Sequence, residues 1–192
     1  MSKIEFSKPG NFLYPLPAVI VTCGKPEGEK NMITIAWTGT VCSDPPMVYI
    51  SVRKERHSYH MLKENGEFVI NLPSEDMTFA LDKAGCTTGK KIDKFKELKL
   101  TPAKSFKVSA PAIAEAPVCI ECKVKQILEL GTHDMFLAEV VSVSVEDRFL
   151  DEKGVFHMDK CKLVAYEHGA YRKLSDTIGK FGYSVRKKQN GK

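Results

Sequence analysis

The sequence predicts a mainly β, mostly antiparallel domain closed into a barrel, with a few short helices. Three observations carry this expectation. Period-two alternation of apolar residues dominates the readable structure, and its clearest stretch is Val118 to Leu130. There Val118, Ile120, Cys122, Val124, Leu128 and Leu130 share one face, while Glu121, Lys123, Lys125 and Glu129 share the other. Gly131-Thr-His-Asp134 then turns the chain into a second apolar run, Met135 to Val145, which makes a hairpin. Finally, the segments with helix start and stop signals are all short.

Taken in order, Ala18 to Cys23 reads as an apolar strand and Lys25 to Lys30 as a turn. Asn31 to Cys42 and Met47 to Val52 read as two strands joined across Ser43-Asp-Pro-Pro46. Proline cannot donate to a ladder, so that pair belongs in a turn or at an edge. Ser58 is placed to cap a helix over Tyr59 to Asn65, which Gly66 stops. Glu67 to Asn71 is a further strand. Ser74 is placed to cap a second helix from Glu75 to about Lys83, stopped by Gly85. The Pro- and Ala-rich stretch from Ala103 to Pro117 reads as a loop, and Lys162 to Tyr166 as a last strand. No internal repeat or linker divides the 192 residues, so the expectation is a single domain over 1–192.

Composition excludes several classes. A chain with 43% hydrophobic and 28% charged residues is ordinary for a soluble protein, and can bury a core without disulfides or metal. The net charge of +5 is mild, with basic clusters at Lys90-Lys91, Lys94-Phe-Lys96 and Arg186-Lys-Lys188. With no recognisable nucleic-acid module either, nucleic acid is not an expected partner. The longest uncharged run, Pro9 to Gly24, is interrupted by Pro15 and Pro17 and is too short to span a bilayer. No secretory signal is visible at Met1-Ser-Lys-Ile-Glu-Phe6, and the six cysteines read as thiols, so a cytoplasmic protein is expected.

Motifs narrow the chemistry. Cys119-x-x-Cys122 invites a metal or redox reading, but an odd separation on a strand puts the two thiols on opposite faces. No metal site is expected. Gly85-Cys-Thr-Thr-Gly-Lys-Lys91 resembles a phosphate loop, yet it is one residue short, lacks the hydroxyl after Lys90 and follows a helix. It suits phosphate contact by an ordinary loop, or simply a solvated basic turn. The fingerprints of Rossmann dinucleotide sites, of nucleophile-elbow hydrolases and of zinc proteases are absent. Trp37, the only tryptophan, stands among Thr34, Thr38, Thr40 and Ser43, and the next strand ends on Arg53. An indole, hydroxyls and a guanidinium on adjacent strands suit a planar ligand bearing a phosphate. Cys42 would be near such a ligand, although burial as a small apolar residue explains it more simply. His133 beside Asp134 stands out among the five histidines; His57, His60, His157 and His168 have weaker claims.

These residues resemble one known family, the flavin reductase-like or flavoredoxin-like FMN-binding split barrels. The matching segments are Asn31 to Pro46, Val48 to Arg53, Arg56 to Tyr59, Glu67 to Leu72, Lys90 to Phe95, Gly131 to Asp134 and Ala138 to Val140. They run in the family's order over nearly the whole chain. The resemblance implies a homodimer of six-stranded antiparallel Greek-key split barrels, with FMN held non-covalently near the subunit interface. By the same resemblance Ala36, Trp37, Thr38, Gly39, Thr40, Cys42 and Ser43 line the isoalloxazine. Ser51, Val52 and Arg53, with Ser58 opening a helix, hold the ribityl phosphate. Lys94 and Phe95 approach the flavin's edge, as does Tyr171. Cys42 and His133 are the candidate catalytic residues.

The implied activity is that of an FMN-dependent oxidoreductase passing electrons to ferric iron, free flavin or a redox partner protein. The turn Gly131-Thr-His133-Asp134 keeps the histidine of the family's Gly-Asp-His turn but moves the acid. NADH or NADPH as donor, or a protein donor, therefore both stand open. Two rivals remain: an FMN-binding electron carrier without nicotinamide-dependent turnover, and a small β-barrel interaction module.

Overall fold

The computed structural model describes residues 1–185, so the basic cluster Arg186-Lys-Lys188 lies outside the described residues. A short β1 (Leu16–Pro17) precedes β2 (Val19–Gly24), all six residues of which are buried. Such a strand needs apolar cover on both faces, and it has it. Val19, Val21 and Cys23 point into the barrel interior, whereas Ile20 belongs to a second core outside the sheet.

The single strand expected over Asn31 to Cys42 is two: β3 (Lys30–Ile35) and β4 (Thr38–Ser43). β3 pairs with β2, while β4 pairs with β5 (Pro46–Arg53), at the opposite edge of the same sheet. No straight strand reaches both edges, so Ala36 and Trp37 carry the chain across. The Trp37 carbonyl accepts from the backbone N–H of Ser51 at 2.9 Å, which fixes the crossing.

After β5 comes α1 (Ser58–Asn65), which ends as expected. Gly66 adopts the left-handed conformation (φ 62°) that a residue with a Cβ resists, and its N–H caps the Leu62 carbonyl at 3.1 Å. Ser58 is not the cap. His57 holds that position in helical conformation, and the Ser58 hydroxyl accepts from Asn31 Nδ2 at 2.9 Å. β6 (Glu67–Leu72) follows, then a 3₁₀ turn leads into α2 (Thr78–Cys86). Ser74 makes no side-chain cap, and Gly85 lies inside the last turn of α2 instead of stopping it. There it allows close packing on β3, because a Cβ would meet the Thr34 Cβ at 3.0 Å. The Thr34 hydroxyl also donates to the Leu81 carbonyl.

The four-residue α3 (Lys94–Glu97) is capped by Asp93, whose carboxylate accepts from the Lys96 N–H. Within the stretch expected as loop, β7 (Pro102–Ala103) pairs with β8 (Ala112–Ile113). The hairpin of β9 (Val118–Leu130) and β10 (His133–Val145) forms where the alternation placed it. β11 (Val164–Glu167) is joined by an unforeseen β12 (Ala170–Lys173), and the two form a three-stranded sheet with β1.

The main sheet runs β3-β2-β6-β9-β10-β5-β4, with every neighbouring pair antiparallel. It curls around Val21, Ile33, Ile50, Phe68 and Phe136 but is not closed, leaving β3 and β4 as edges. This is the split barrel. The seven strands are the expected six with one broken at Ala36-Trp37. On the outer face, α2 covers Ile20, Met32 and Val69 through Leu81 and Ala84.

Strand geometry also decides the cysteine pair. Cys119 is in the outer core and Cys122 in the inner one, and burial raises their thiols to about 11 and about 12. All six cysteines are free. Glu121, expected on the open face, is buried at 1% exposure. The loop before β8 folds over it, and the backbone N–H groups of Phe106 and Lys107 donate to its carboxylate at 2.8 and 2.6 Å. A neutral amide offers these two donors one acceptor oxygen. Glu121→Gln is therefore expected to cost about 1–3 kcal/mol in chemical denaturation, and an unchanged midpoint would refute the role. Among the described residues no helix is long and apolar enough to cross a membrane.

Candidate functional site

Pairing of β5 with β10 sets Arg53 directly across from His133, and Val52 across from Asp134. Facing residues of an antiparallel pair share a face, and the next pair points the other way. Arg53 and His133 thus project together from the barrel end, while Val52 and Asp134 turn inward and are buried. Asp134 Oδ2 accepts from the Tyr59 hydroxyl at 2.5 Å, and Oδ1 pairs with the Lys54 ammonium at 3.3 Å. This network lies directly behind the Arg53–His133 pair and holds the two strands in register.

Trp37, carried to the same end by the crossing between β3 and β4, stacks on His133 with ring centroids 6.2 Å apart and planes 12° from parallel. Burial lowers the His133 pKa, and the nearby Arg53 and Arg56 cations lower it further. At neutral pH the ring is an uncharged imidazole. Its Nδ1 lies 2.9 Å from the Thr132 hydroxyl.

A cleft of about 620 Å³ opens in front of these residues. One wall is Ala36, Trp37, Ser51, Arg53 and His133; the opposite wall is Asp82 and Cys86 of α2 with Tyr166 and Tyr171 of the small sheet. The Tyr171 hydroxyl donates to Asp82 Oδ1 at 3.1 Å. Burial, then that hydrogen bond, raises the phenol to about 12. The Tyr171 hydroxyl is therefore a donor throughout the physiological range.

A polar pocket of about 440 Å³ adjoins the cleft, lined by Asn31, Arg56, Ser58, Thr87, Thr88 and Lys94. Both cavities share Ile33, Arg56, Gly85 and Cys86, so they form one continuous trough. Lys94 is 4% exposed. Its ammonium donates to the carbonyls of Met32 (2.8 Å) and Ala84 (2.6 Å), and among the described residues no carboxylate pairs with it. Burial lowers its pKa to about 8. Arg56 likewise forms no ion pair among the described residues. Glu55, which pairs with Arg53, also lines this pocket, so its two cations, Arg56 and Lys94, share it with a single carboxylate.

The residues expected from sequence fall into four places. Ala36, Trp37, Ser51, Val52, Arg53, His133 and Tyr171 line the cleft, and Ser58 and Lys94 line the polar pocket. Thr38, Gly39 and Thr40 line a separate apolar groove of about 450 Å³, and the Thr38 hydroxyl donates to the Tyr49 carbonyl. Cys42 and Ser43 sit at the far end of the β4–β5 hairpin and line neither cavity of the trough; the Cys42 thiol donates to the Asp44 carbonyl at 3.4 Å. Phe95 is buried in the outer core at 4% exposure.

The sequence singles out neither Asp82 nor Tyr166, and offers Cys86 only as part of the Gly85 to Lys91 loop. Asp82 and Cys86 are four apart, one face of a helix, which is a readable signal. Nothing local says that this face meets the edge of β3. Arg56 lies in a segment that resembles the family but carries no role there, and Thr87 and Thr88 belong to the loop suited to phosphate contact.

Residues 12–175 match the family model described as flavin reductase like domain. The chain belongs to this flavin reductase-like family. The domain as a whole is similar to flavoredoxin of Desulfovibrio vulgaris (Miyazaki F), at 28% identity and TM-score 0.87 over 96% of this chain and all of that one. Flavoredoxin from Methanosarcina acetivorans is similar at 26% identity and TM-score 0.87, covering 97% and 100%. An uncharacterised protein of Archaeoglobus fulgidus is 33% identical over 74% of this chain and 79% of its own length. The flavin reductase-like fold therefore extends through both the barrel and the small sheet whose tyrosines close the cleft.

Proposed function

We propose that this flavin reductase-like protein binds FMN in the trough and is an FMN-dependent oxidoreductase. One observation carries the reading: an aromatic-walled cleft adjoins a pocket whose two cations, Arg56 and Lys94, form no ion pair among the described residues. That pairing suits a flat ring joined to a phosphate, and each of the two cavities lies in the range of cofactor sites, about 300–1,000 Å³. Two of the similar structures are flavoredoxins by name, which supports the same ligand.

In this reading Trp37 and Tyr171 flank the ring. Arg53, Arg56 and Lys94, with the hydroxyls of Ser58, Thr87 and Thr88, hold the phosphate. Bound FMN supplies reversible acceptance of a hydride or of single electrons. The protein's part is position and access: neutral His133 offers a hydrogen bond beside the ring, and the Tyr171–Asp82 pair keeps the opposite wall in place. Cys42 has no part in this arrangement within one chain; it would join only from a second copy. A homodimer is proposed on the family resemblance, with the apolar groove along Gly39 and Thr40 as the contact. Sedimentation of the purified protein as a monomer at micromolar concentration would refute it. A cytoplasmic location is proposed from the six free thiols.

The direct test is titration of purified, flavin-free protein with riboflavin phosphate, read by quenching of flavin fluorescence. Saturable binding at one equivalent is expected, and absence of binding would end the proposal. Anaerobic mixing of the loaded protein with NADH or NADPH then separates reductase from carrier, because only the reductase bleaches. The acceptor we propose is ferric iron, free flavin or a redox partner.

Lys94 adds a pH signature. Its pKa in the free fold, about 8, is that of a cation disfavoured by burial. A bound phosphate favours the charged form, so affinity is expected to stay level below pH 8 and fall above it, by about tenfold per pH unit at most. Lys94→Met is expected to flatten that fall; an equally steep profile in the variant would remove Lys94 from the phosphate site.

A further inference from the structure

Three side chains able to ligate a metal, of which His57 also lines the polar pocket, converge where the β2–β3 turn meets the start of α1. Glu29 lies in the turn, His57 at the cap position of α1, and His60 three residues later. Because His57 has helical angles (φ −55°, ψ −34°), that spacing puts both imidazoles on one face of the helix. His57 Nε2 is 3.0 Å from Glu29 Oε1, and His60 Nε2 is 3.4 Å from Glu29 Oε2. All three ligand atoms lie within 4.8 Å of one another. A tetrahedral ion with bonds of about 2.0–2.1 Å holds its ligand atoms about 3.3 Å apart. The set needs little movement to close around one.

The backbone of Glu29 is held in place. Lys25 N–H donates to the Glu29 carbonyl at 3.0 Å, and Gly28 N–H to the Lys25 carbonyl at 3.1 Å. Gly24, at φ 93°, makes this turn possible, since a Cβ there would stand 2.1 Å from the Glu29 carbonyl oxygen.

We propose that Glu29, His57 and His60 bind a divalent transition-metal ion, with Zn²⁺ the best chemical match. Two imidazoles and one carboxylate gathered within 4.8 Å suit Zn²⁺, while Ca²⁺ and Mg²⁺ call for more oxygen ligands. Three protein ligands leave a fourth position for water. The Glu29 and His60 side chains are 58% and 44% exposed, so an ion reaches them from solvent. Among the described residues His57 Nδ1 is buried without a partner, so none of them fixes that ring from behind, and affinity below that of a structural zinc centre is expected. An ion here ties the β2–β3 turn to the first turn of α1. His57 itself lines the polar pocket, with Arg56 and Ser58 on either side.

The test uses the full chain without an affinity tag, stripped by a chelator. It carries Cys42→Ser and Cys86→Ser, so that the more accessible thiols cannot serve as ligands. Calorimetric titration with Zn²⁺ is expected to show one equivalent bound and a raised melting temperature. His60→Gln and, separately, Glu29→Gln are expected to weaken binding about tenfold or more and to abolish the thermal shift. Both positions are exposed, and circular dichroism verifies that the fold is kept. No Zn²⁺ binding by the parent, or equal binding by either variant, overturns the proposal. Riboflavin phosphate is left out of the titration, so the outcome does not depend on the flavin reading.

Discussion

Arg53→Ala is expected to weaken riboflavin phosphate binding about ten- to a hundredfold while leaving the melting temperature almost unchanged. The two readouts separate because of what Arg53 touches. Its one ion pair, with Glu55 at 3.3 Å, joins side chains 48% and 64% exposed, and such pairs contribute little to folding. What the substitution removes is a charge-assisted contact available to a phosphate. Riboflavin lacks that group, so its weaker binding should be the same in wild type and variant. Arg53→Lys should recover only part of the loss, because a point charge cannot offer the paired donors of a guanidinium. Equal affinity of Arg53→Ala and wild type for riboflavin phosphate would take Arg53 out of the phosphate site. It would also leave the polar pocket to Arg56 and Lys94 alone.

Asp134→Ala should be the most damaging single change to stability near the site, costing about 2–4 kcal/mol at neutral pH. It strips the half-buried Tyr59 hydroxyl and the Lys54 ammonium of their shared acceptor. Burial alone would raise the Asp134 carboxyl, but the Tyr59 hydrogen bond and the Lys54 charge outweigh it and hold the pKa below its ordinary value. A carboxyl depressed in the folded state contributes stability that is fully present above its unfolded pKa and is lost as pH falls through the folded one. The melting temperatures of wild type and variant should therefore converge in acid. The Tyr59 phenol, raised to about 12 chiefly by Asp134, should return toward an ordinary value in the variant, which ultraviolet titration reads directly. Melting temperatures that differ equally at neutral and acid pH would show that this ion network is not the cause. Because Asp134 and Lys54 are chain neighbours of His133 and Arg53, looser riboflavin phosphate binding should accompany the lost stability.

Much of the fold was legible because its cause is local. Alternation placed β9 and β10 and the turn between them, since a period of two has one meaning where one face is buried. Gly66 ended α1 for a reason internal to that turn. The strand over Asn31 to Cys42 was half right. Its residues do favour extended backbone, but pairing at both edges of one sheet forces the break at Ala36-Trp37. Glu121 was misplaced for a related reason: alternation assigns a face, and a loop far along the chain decides whether that face is wet.

The site divides in the same way. Which residue types the ligand would need was written in the sequence: an indole, guanidiniums, hydroxyls and a lysine. Which of them share one trough was not, because that depends on register between β5 and β10, on the crossing after β3, and on α2 packing against that strand's edge. These are contacts between segments far apart in the chain. Tertiary structure alone brought in Asp82, Cys86 and Tyr166, carried Thr40, Cys42 and Ser43 away, and set Glu29 against His57 and His60. Local preference chooses the elements; only their packing chooses which side chains meet.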